Sequence, residues 1–396
     1  MRETSDGGRR PTVKDVAAAA GVSAPTVSRV LAGNYPVAPA TRAKVLRAMK
    51  ELDYVVNAHA RGLAGATTKT IAFVVDDVTG PFYAYIARGV EQQAASEGRL
   101  CLLCTTHGDP EREFAVVELM REQRAEAVIL VGGAWDNEVY KERMAYFARA
   151  LDKSGSHLVL CGRPSLGEGV PALVVQYDNV SGSYSMTAHL LSAGHRVICY
   201  LGREVGLSTS DERIDGFRRA HADHGVALDE SLILPGKFQI DSGYELAKRL
   251  LAERDDVTAI FAGTDMVAIG VLKALREAGV RVPEDMSVVG FDDIPFAAEL
   301  TPALTTVHVP HEQLGREAVR LALRRNEGAT TDRILLGTHI VVRDSVAPPR
   351  RALQVDGAPR SNRAATRWWT GGVGDRVAGL FRVGAQELWS DSGCGT

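Results

Sequence analysis

The chain has 396 residues, 45% apolar and 24% charged, with a formal net charge of −3, the balance of a soluble protein of two or three domains and no pointer by itself to a nucleic-acid partner. No apolar run approaches the roughly 18–20 residues needed to span a bilayer, and the opening MRETSDGGRRPTVKDV has no apolar leader core, so a cytoplasmic protein without membrane contact is expected. The charge is uneven: residues 1–65 carry ten Lys/Arg against five Asp/Glu, which leaves an excess of eight negative charges on the rest, a basic head on an acidic body.

Residues 1–10 are polar and read as disordered. Thr12 is placed to cap a helix over VKDVAAAA, with Asp15 three residues on to complete a capping box and Gly21 to end it. Ser23 caps a second helix, APTVSRVLAG, with Pro25 in the first turn where its missing N–H costs nothing. A third helix is expected over TRAKVLRAMKELDY, with Val45, Met49 and Leu52 as its apolar stripe. Helix, glycine turn, helix is a shape that can lay its second helix in the major groove, where each base pair shows a distinct donor and acceptor pattern. The helix starts near Thr12 and Ser23 can hold phosphates; an alanine-rich helical pair can also serve packing alone. Residues 57–70, NAHARGLAGATTKT, are small-residue rich and read as a hinge segment that folds conditionally.

The body then alternates. Strands are expected at IAFVVDD, LCLLCTT, AVILVGG, HLVLCGR, LVVQYDN, VICYLG, SLILPG, TAIFAG, MSVVGFDD, TTVHVP and RILLGTHIVVRDS, nearly all separated by helices of ten or more residues. That pattern means parallel sheets with crossover helices, and there are too many strands for one small sheet. Two α/β subdomains are expected over 71–349: the first about 71–162 with 294–325, the second about 163–293 with 326–345. Such a body holds a small ligand in a cleft closed by hinge motion. Beyond Pro348-Pro349 the periodicity stops, and 350–396 reads as a mostly disordered tail.

Cys101, Cys104, Cys161 and Cys199 lie in strand-like runs. Cys101 and Cys104 are three apart on a strand and face opposite sides, so buried free thiols are expected rather than a metal or redox pair. His107, His189, His195, His308 and His311 show no metal spacing. There is no G-x-G-x-x-G after the first strand, no P-loop, no H-E-x-x-H and no G-x-S-x-G. No enzyme activity, cofactor or metal is expected.

TVKDVAAAAGVSAPTVSRVLAG closely resembles the headpiece of the lac repressor and purine repressor family. The resemblance continues through TRAKVLRAMKELDYVVNAHARGL, RIDGF, GTDMVAIGVLKALREAGVRVPEDMSVVGFDD and TPALTTVHVPHEQLGREAV, and covers about residues 11–349. It implies an all-α helix-turn-helix head (11–56), a hinge, and an α/β periplasmic-binding-protein-like body of two parallel-sheet subdomains. The implied function is that of a ligand-controlled transcriptional repressor: a homodimer bound to pseudo-palindromic operator DNA and controlled by a small effector, a sugar or polyol. The rival, a sugar-binding transport receptor, requires export and leaves the basic head without a role.

The family's base-reading positions fall on Ala24, Pro25 and the adjoining Thr26, with Arg29 one turn on. Arginine there can take guanine O6 and N7 in a fork. Ala24 and Pro25 offer no side-chain donor, so they read thymine methyls or merely exclude. Ser28 caps locally or touches phosphate. In the hinge, the resemblance makes Leu63 a minor-groove wedge, with Asn57 as cap and Arg61 on the DNA backbone; Gly62 stands where the family has serine. In the cleft it points to Arg213, Asp265 and Thr209, with Phe82 and Tyr83 stacking on an apolar ligand face. Trp135, Arg163, Asp178 and Phe291 are further candidates. Gly80 replaces a usual asparagine. Leu207 stands where purine-binding members carry arginine, which disfavours a purine effector.

Overall fold

The computed structural model describes residues 11–32, 36–54, 68–328 and 330–349. Residues 1–10, the hinge positions Asn57, Arg61 and Leu63, and the tail 350–396 lie outside them.

The head consists of α1 (Val13–Ala20), α2 (Ala24–Ala32) and α3 (Pro39–Glu51). Thr12 and Asp15 form a reciprocal capping box: the Thr12 hydroxyl accepts from Asp15 N at 3.4 Å and Asp15 Oδ2 accepts from Thr12 N at 2.7 Å. Gly21 closes α1 with φ 66°, a left-handed conformation that glycine adopts without strain. Ser23 Oγ accepts from Thr26 N at 3.3 Å at the start of α2. Pro39 starts α3 two residues earlier than expected, because its fixed φ suits a first turn. Val16, Val27 and Val45, one from each helix, are wholly buried at the centre of this small core, each contributing about 1.5–3 kcal/mol of burial.

The body contains two six-stranded sheets. Lobe one holds β1 (Thr68–Val75), β2 (Leu100–Thr105), β3 (Ala125–Val131), β4 (His157–Cys161), β5 (Ala172–Tyr177) and β11 (Arg333–Leu336), in the order β11-β5-β4-β3-β1-β2 and parallel throughout. Its helices are α4 (Pro81–Ser96), α5 (Pro110–Glu122), α6 (Glu138–Lys153) and α12 (His311–Asn326). Lobe two holds β6 (Ile198–Arg203), β7 (Ile233–Pro235), β8 (Ala259–Ala262), β9 (Ser287–Asp292), β10 (Thr305–His308) and β12 (His339–Val341), in the order β12-β10-β9-β8-β6-β7, parallel except for β10 with β12. Its helices are α7 (Asn179–Ser192), α8 (Ser208–Asp223), α9 (Ile240–Glu253), α10 (Asp265–Glu277) and the short α11 (Phe296–Glu299). In lobe one α12 packs on α4 so closely that a Cβ on Gly89 would sit 2.1 Å from the Glu312 carbonyl oxygen.

The lobe boundaries differ from those expected. The chain crosses between Tyr177 and Asn179, again between His308 and His311, and a third time between Leu336 and His339. Residues 172–177 and 333–336 therefore belong to lobe one, and 305–308 to lobe two. The expected boundary at 162–170 follows from a polar Gly/Pro loop, but that loop returns the chain to pair Leu158 with Ala172 in the same sheet. Likewise the stretch after Asp292 brings Thr305 back beside Val289. Loop composition marks a surface connection and says nothing of which sheet receives the next strand. At the other end, β1 begins at Thr68, so the last three residues of the expected hinge, 68–70, are strand.

Cys161 and Cys199 are buried as expected, but Cys101 and Cys104 are only half-buried. They lie on β2, the edge strand of lobe one, whose outer side also leaves Leu100 62% and Leu103 54% exposed. Burial pushes the Cys101 thiol up to about 11, so it is a protonated thiol at neutral pH.

Candidate functional site

Two regions carry the candidate residues. On α2 the helical period turns Val27 and Val30 into the head core and leaves Pro25, Ser28 and Arg29 exposed, with Ala24 and Thr26 half-buried. The Ser23 and Thr26 hydroxyls pair with each other at 2.8 Å. The face offered to solvent thus combines one guanidinium, one free hydroxyl position and a stiff apolar pair.

The second region is where the lobes meet. Arg213, in the second turn of α8, is 1% exposed. Its Nε donates to Asn179 Oδ1 at 2.9 Å, Nη1 to the Gly263 carbonyl at 2.6 Å, and Nη2 to Asp292 Oδ1 at 3.0 Å and Tyr177 Oη at 3.3 Å. The guanidinium lies 3.7 Å from the Phe291 ring centre and 5.5 Å from that of Phe238. Burial raises the Asp292 carboxyl to about 6 despite Arg213 beside it. From lobe one, Phe82 lies 5.3 Å from Tyr83, 6.2 Å from Tyr177 and 5.1 Å from His311, ring centre to ring centre. The result is a charge-paired, aromatic-walled site at the lobe crossings. Two buried hydroxyls near it, Tyr200 Oη and Thr209 Oγ1, have no hydrogen-bond partner.

A main-chain clasp joins the lobes beside this site. Trp135 forms a β-bridge with Leu207, Asp136 N donates to the Gly206 carbonyl at 2.8 Å, Ser208 N donates to the Ala134 carbonyl at 2.9 Å, and Ala134 N donates to Ser208 Oγ at 3.0 Å. Gly133 permits it: a Cβ there would lie 2.7 Å from the Leu207 side chain.

A helix-turn-helix head on a two-lobed cleft has direct counterparts. Residues 12–57 match "Bacterial regulatory proteins, lacI family" and residues 187–346 match "Periplasmic binding protein-like domain". The HTH-type transcriptional regulator DegA of Bacillus subtilis is 37% identical over 343 residues, covering 86% of this chain and 99% of DegA. The chain belongs to the LacI family. Among solved structures, the transcriptional regulator CelR–cellobiose complex is 37% identical with a TM-score of 0.61, covering 85% of this chain and 100% of that one. The lac repressor dimer bound to operator and the anti-inducer ONPF is 25% identical with a TM-score of 0.71, covering 86% of this chain and 100% of that one. As a LacI-family member this chain is a sequence-specific DNA-binding transcriptional regulator with a ligand-binding body, not an enzyme. Among the described residues, no helix is long and apolar enough to cross a membrane and no cluster of three or more His, Cys, Asp or Glu is placed to hold a metal.

Not all expected cleft residues of this LacI-family body meet. Phe82, Tyr83, Arg213 and Phe291 converge, while Thr209 and Trp135 lie beside the clasp. Arg163 is turned within lobe one, its two Nη atoms on Glu113 at 2.9 and 2.7 Å, with further bonds to Tyr140 and the Val131 carbonyl. Asp178 is the N-cap of α7, accepting from Ser181 N at 2.8 Å. Asp265 is displaced from the role expected of it. Its carboxylate accepts from Ile294 N at 2.9 Å and Thr306 Oγ1 at 2.5 Å inside lobe two, and burial holds its carboxyl well above the ordinary range. The acid that faces Arg213 is Asp292, which sequence reasoning missed. Its signal was present: an acidic pair closing a strand, at the end where open α/β sheets bind ligands.

The sequence gives His311 no metal spacing and no periodic signature. It is 7% exposed, and its Nε2 has no partner. Burial, then His308 nearby, pulls its imidazole down to about 3. The folded value lies below the unfolded one, so its contribution to stability is full above about pH 6.5 and shrinks as pH falls, by up to about 1.4 kcal/mol per pH unit. His311→Phe is expected to flatten the fall of Tm between about pH 6.5 and 4.5. Calorimetric scans of the two proteins side by side check this; identical slopes contradict it.

Proposed function

We propose that this chain is a repressor that binds a pseudo-palindromic operator as a homodimer and is controlled by a carbohydrate effector seated against Arg213. The observation that carries this is the Arg213–Asp292 pair under Phe291, with Tyr200 Oη and Thr209 Oγ1 left unpaired close by. Fixed donors and acceptors together with aromatic faces suit a neutral ring with a hydroxyl edge and a C–H face. The similar CelR structure holds cellobiose. Phe82, Tyr83, Thr209, Arg213, Phe291 and Asp292 are the proposed contacts, with Trp135 and Arg163 further out. Asp178 serves as a helix cap.

The homodimer is supported by the uncovered edge of lobe one. Leu100 and Leu102, on one face of the edge strand β2, are exposed apolar side chains of the kind a second copy covers. Two bodies joined there present two heads to two half-sites. Effector that prefers one lobe arrangement shifts the equilibrium toward it, and the preferred arrangement sets the sign of the response.

The test is operator binding. The full chain, sedimenting as a dimer, is expected to shift a fragment of its own promoter in a salt-sensitive, sequence-specific way, and a carbohydrate is expected to change that affinity. Arg29→Ala is expected to weaken specific binding about 5- to 150-fold, the equivalent of about 1–3 kcal/mol at one base pair. Binding that ignores both sequence and every sugar overturns the proposal.

A further inference from the structure

Arg213 is held by groups from both sides of the first lobe crossing. Tyr177 closes β5 in lobe one, and Asn179, two residues on, opens α7 in lobe two. Tyr177 Oη accepts from Arg213 Nη2 at 3.3 Å, and Asn179 Oδ1 accepts from Nε at 2.9 Å. The helix that carries Arg213 is fixed against this point. Gly216 of α8 lies so close to α7 that a Cβ there would sit 2.2 Å from the Val180 carbonyl oxygen. Ser183 Oγ of α7 donates to the Arg213 carbonyl at 2.5 Å.

The Asn179 side chain is buried and its amide has a second partner: Nδ2 donates to Glu212 Oε2 at 2.8 Å. Glu212 directly precedes Arg213 on α8, so two neighbouring side chains grip the two ends of one amide. The chemistry permits one orientation only. A carboxylate accepts and cannot donate; a guanidinium donates and cannot accept. The amide NH2 must therefore face Glu212, and the amide oxygen must face Arg213 Nε. Turned over, the amide would set oxygen against carboxylate and NH2 against guanidinium, and leave both of its own polar ends unpaired.

We propose that Glu212 is a positioning residue of the effector site: it orients the Asn179 amide, and the amide sets the plane in which Arg213 meets the effector. The proposal rests on the reading above that a carbohydrate sits against Arg213, and adds the device that aims the guanidinium. Asp292 balances the charge of Arg213; Glu212, through Asn179, fixes its direction. Burial raises the Glu212 carboxyl above its ordinary value, although Asn179 and Arg213 pull it down, so the test is made at pH 8, where the carboxyl is ionised.

That test exchanges the two polarities. In the full chain, the Arg213 Nε–H resonance, assigned by its loss in Arg213→Lys, reports the bond to Asn179 through its rate of exchange with water. Glu212→Gln is expected to speed that exchange about tenfold, because the new side chain can meet the amide with either end. Asn179→Asp combined with Glu212→Gln is expected to return the rate to within about twofold of the parent, since a carboxylate at position 179 accepts from Arg213 Nε on one side and from the amide at position 212 on the other. Unchanged resonances of the other arginines report that each variant is folded. Glucose, xylose and cellobiose are titrated calorimetrically into the same samples. A sugar that binds the parent is expected to bind Glu212→Gln about tenfold more weakly and the paired variant with most of its affinity restored. Exchange or sugar affinity that Glu212→Gln leaves unchanged, or an exchange rate that the paired variant does not restore, overturns the positioning role and leaves the carbohydrate reading standing. Failure of all three sugars to bind the parent overturns the carbohydrate reading, while the exchange rates still decide the role of Glu212.

Discussion

Arg213→Met is expected to abolish the effector response and to destabilise the body by about 3–5 kcal/mol, the usual cost of stranding a buried charge. Asp292 is 4% exposed and has Arg213 as its counter-charge, and the Gly263 carbonyl and Asn179 Oδ1 lose their donor in the same step. At about 2–4 °C per kcal/mol, Tm falls by about 6–20 °C. The deficit depends on pH with a definite sign. Protonated Asp292 needs no counter-charge, so the variant is expected to lie closer to the parent at pH 5 than at pH 8. Adding Asp292→Asn is expected to recover stability at pH 8 but not the effector response. The head should still bind DNA, because its core is a cluster of its own. Calorimetric scans at the two pH values and an effector titration of operator binding check each part. A variant that keeps its effector response sets Arg213 outside the site.

The second large effect is expected at Glu113. It forms a two-bond ion pair with Arg163, both Nη atoms within 2.9 Å of its oxygens, and accepts a short hydrogen bond from Tyr140. Burial pushes the Glu113 carboxyl up, but the Arg163 charge and hydrogen bonds outweigh it and hold the carboxyl below its ordinary value. Glu113→Leu alone leaves a buried guanidinium unpaired and is expected to cost about 3–5 kcal/mol. Glu113→Leu with Arg163→Met and Tyr140→Phe removes every stranded polar side chain and is expected to return most of that loss, since apolar replacements of buried ion pairs are often neutral or stabilising by about 1–4 kcal/mol. Denaturant melts of the single and triple variants decide the matter. A triple variant no more stable than the single one would mean that the network holds lobe one by its shape and not by its charge pairing.

Much of this was legible in the sequence, for reasons that can be named. Thr12 with Asp15, Gly21 and Ser23 mark helix ends through local hydrogen bonds, and local signals survive without tertiary context. The alternation of apolar strands with long helices gave both sheets, because a parallel crossover needs that length of chain. Arg213 stood out within RIDGF. Asp265 and Asp292 carry the same local signal, an acid just after an apolar strand, and that signal does not say which of the two turns to Arg213. Only the fold shows that the Asp265 carboxylate turns back to Ile294 N and Thr306, while the Asp292 backbone, at φ 111°, sends its side chain toward Arg213. The three crossings were misplaced for the same reason: which sheet accepts a strand depends on contacts distant in sequence. His311 gave no pattern at all, because a lone buried imidazole has no periodic signature.

Those crossings also set a timetable for the nascent chain. Lobe one has five strands by Tyr177 but waits for α12 to cover α4 and for β11 to complete its sheet at Leu336. At about 5–20 residues per second on the ribosome, that interval is roughly 8–30 s. Until α12 is made, the part of the lobe-one sheet face over β3, β4 and β5 stays uncovered beside α4, and exposed apolar surface of this kind is prone to aggregate. Lobe two is completed later still, by β12 and by the Ala347 carbonyl that contacts the His195 ring. The head is contiguous in sequence and has a core of its own; both lobes of the body are finished by the one stretch from Arg333 to Ala347.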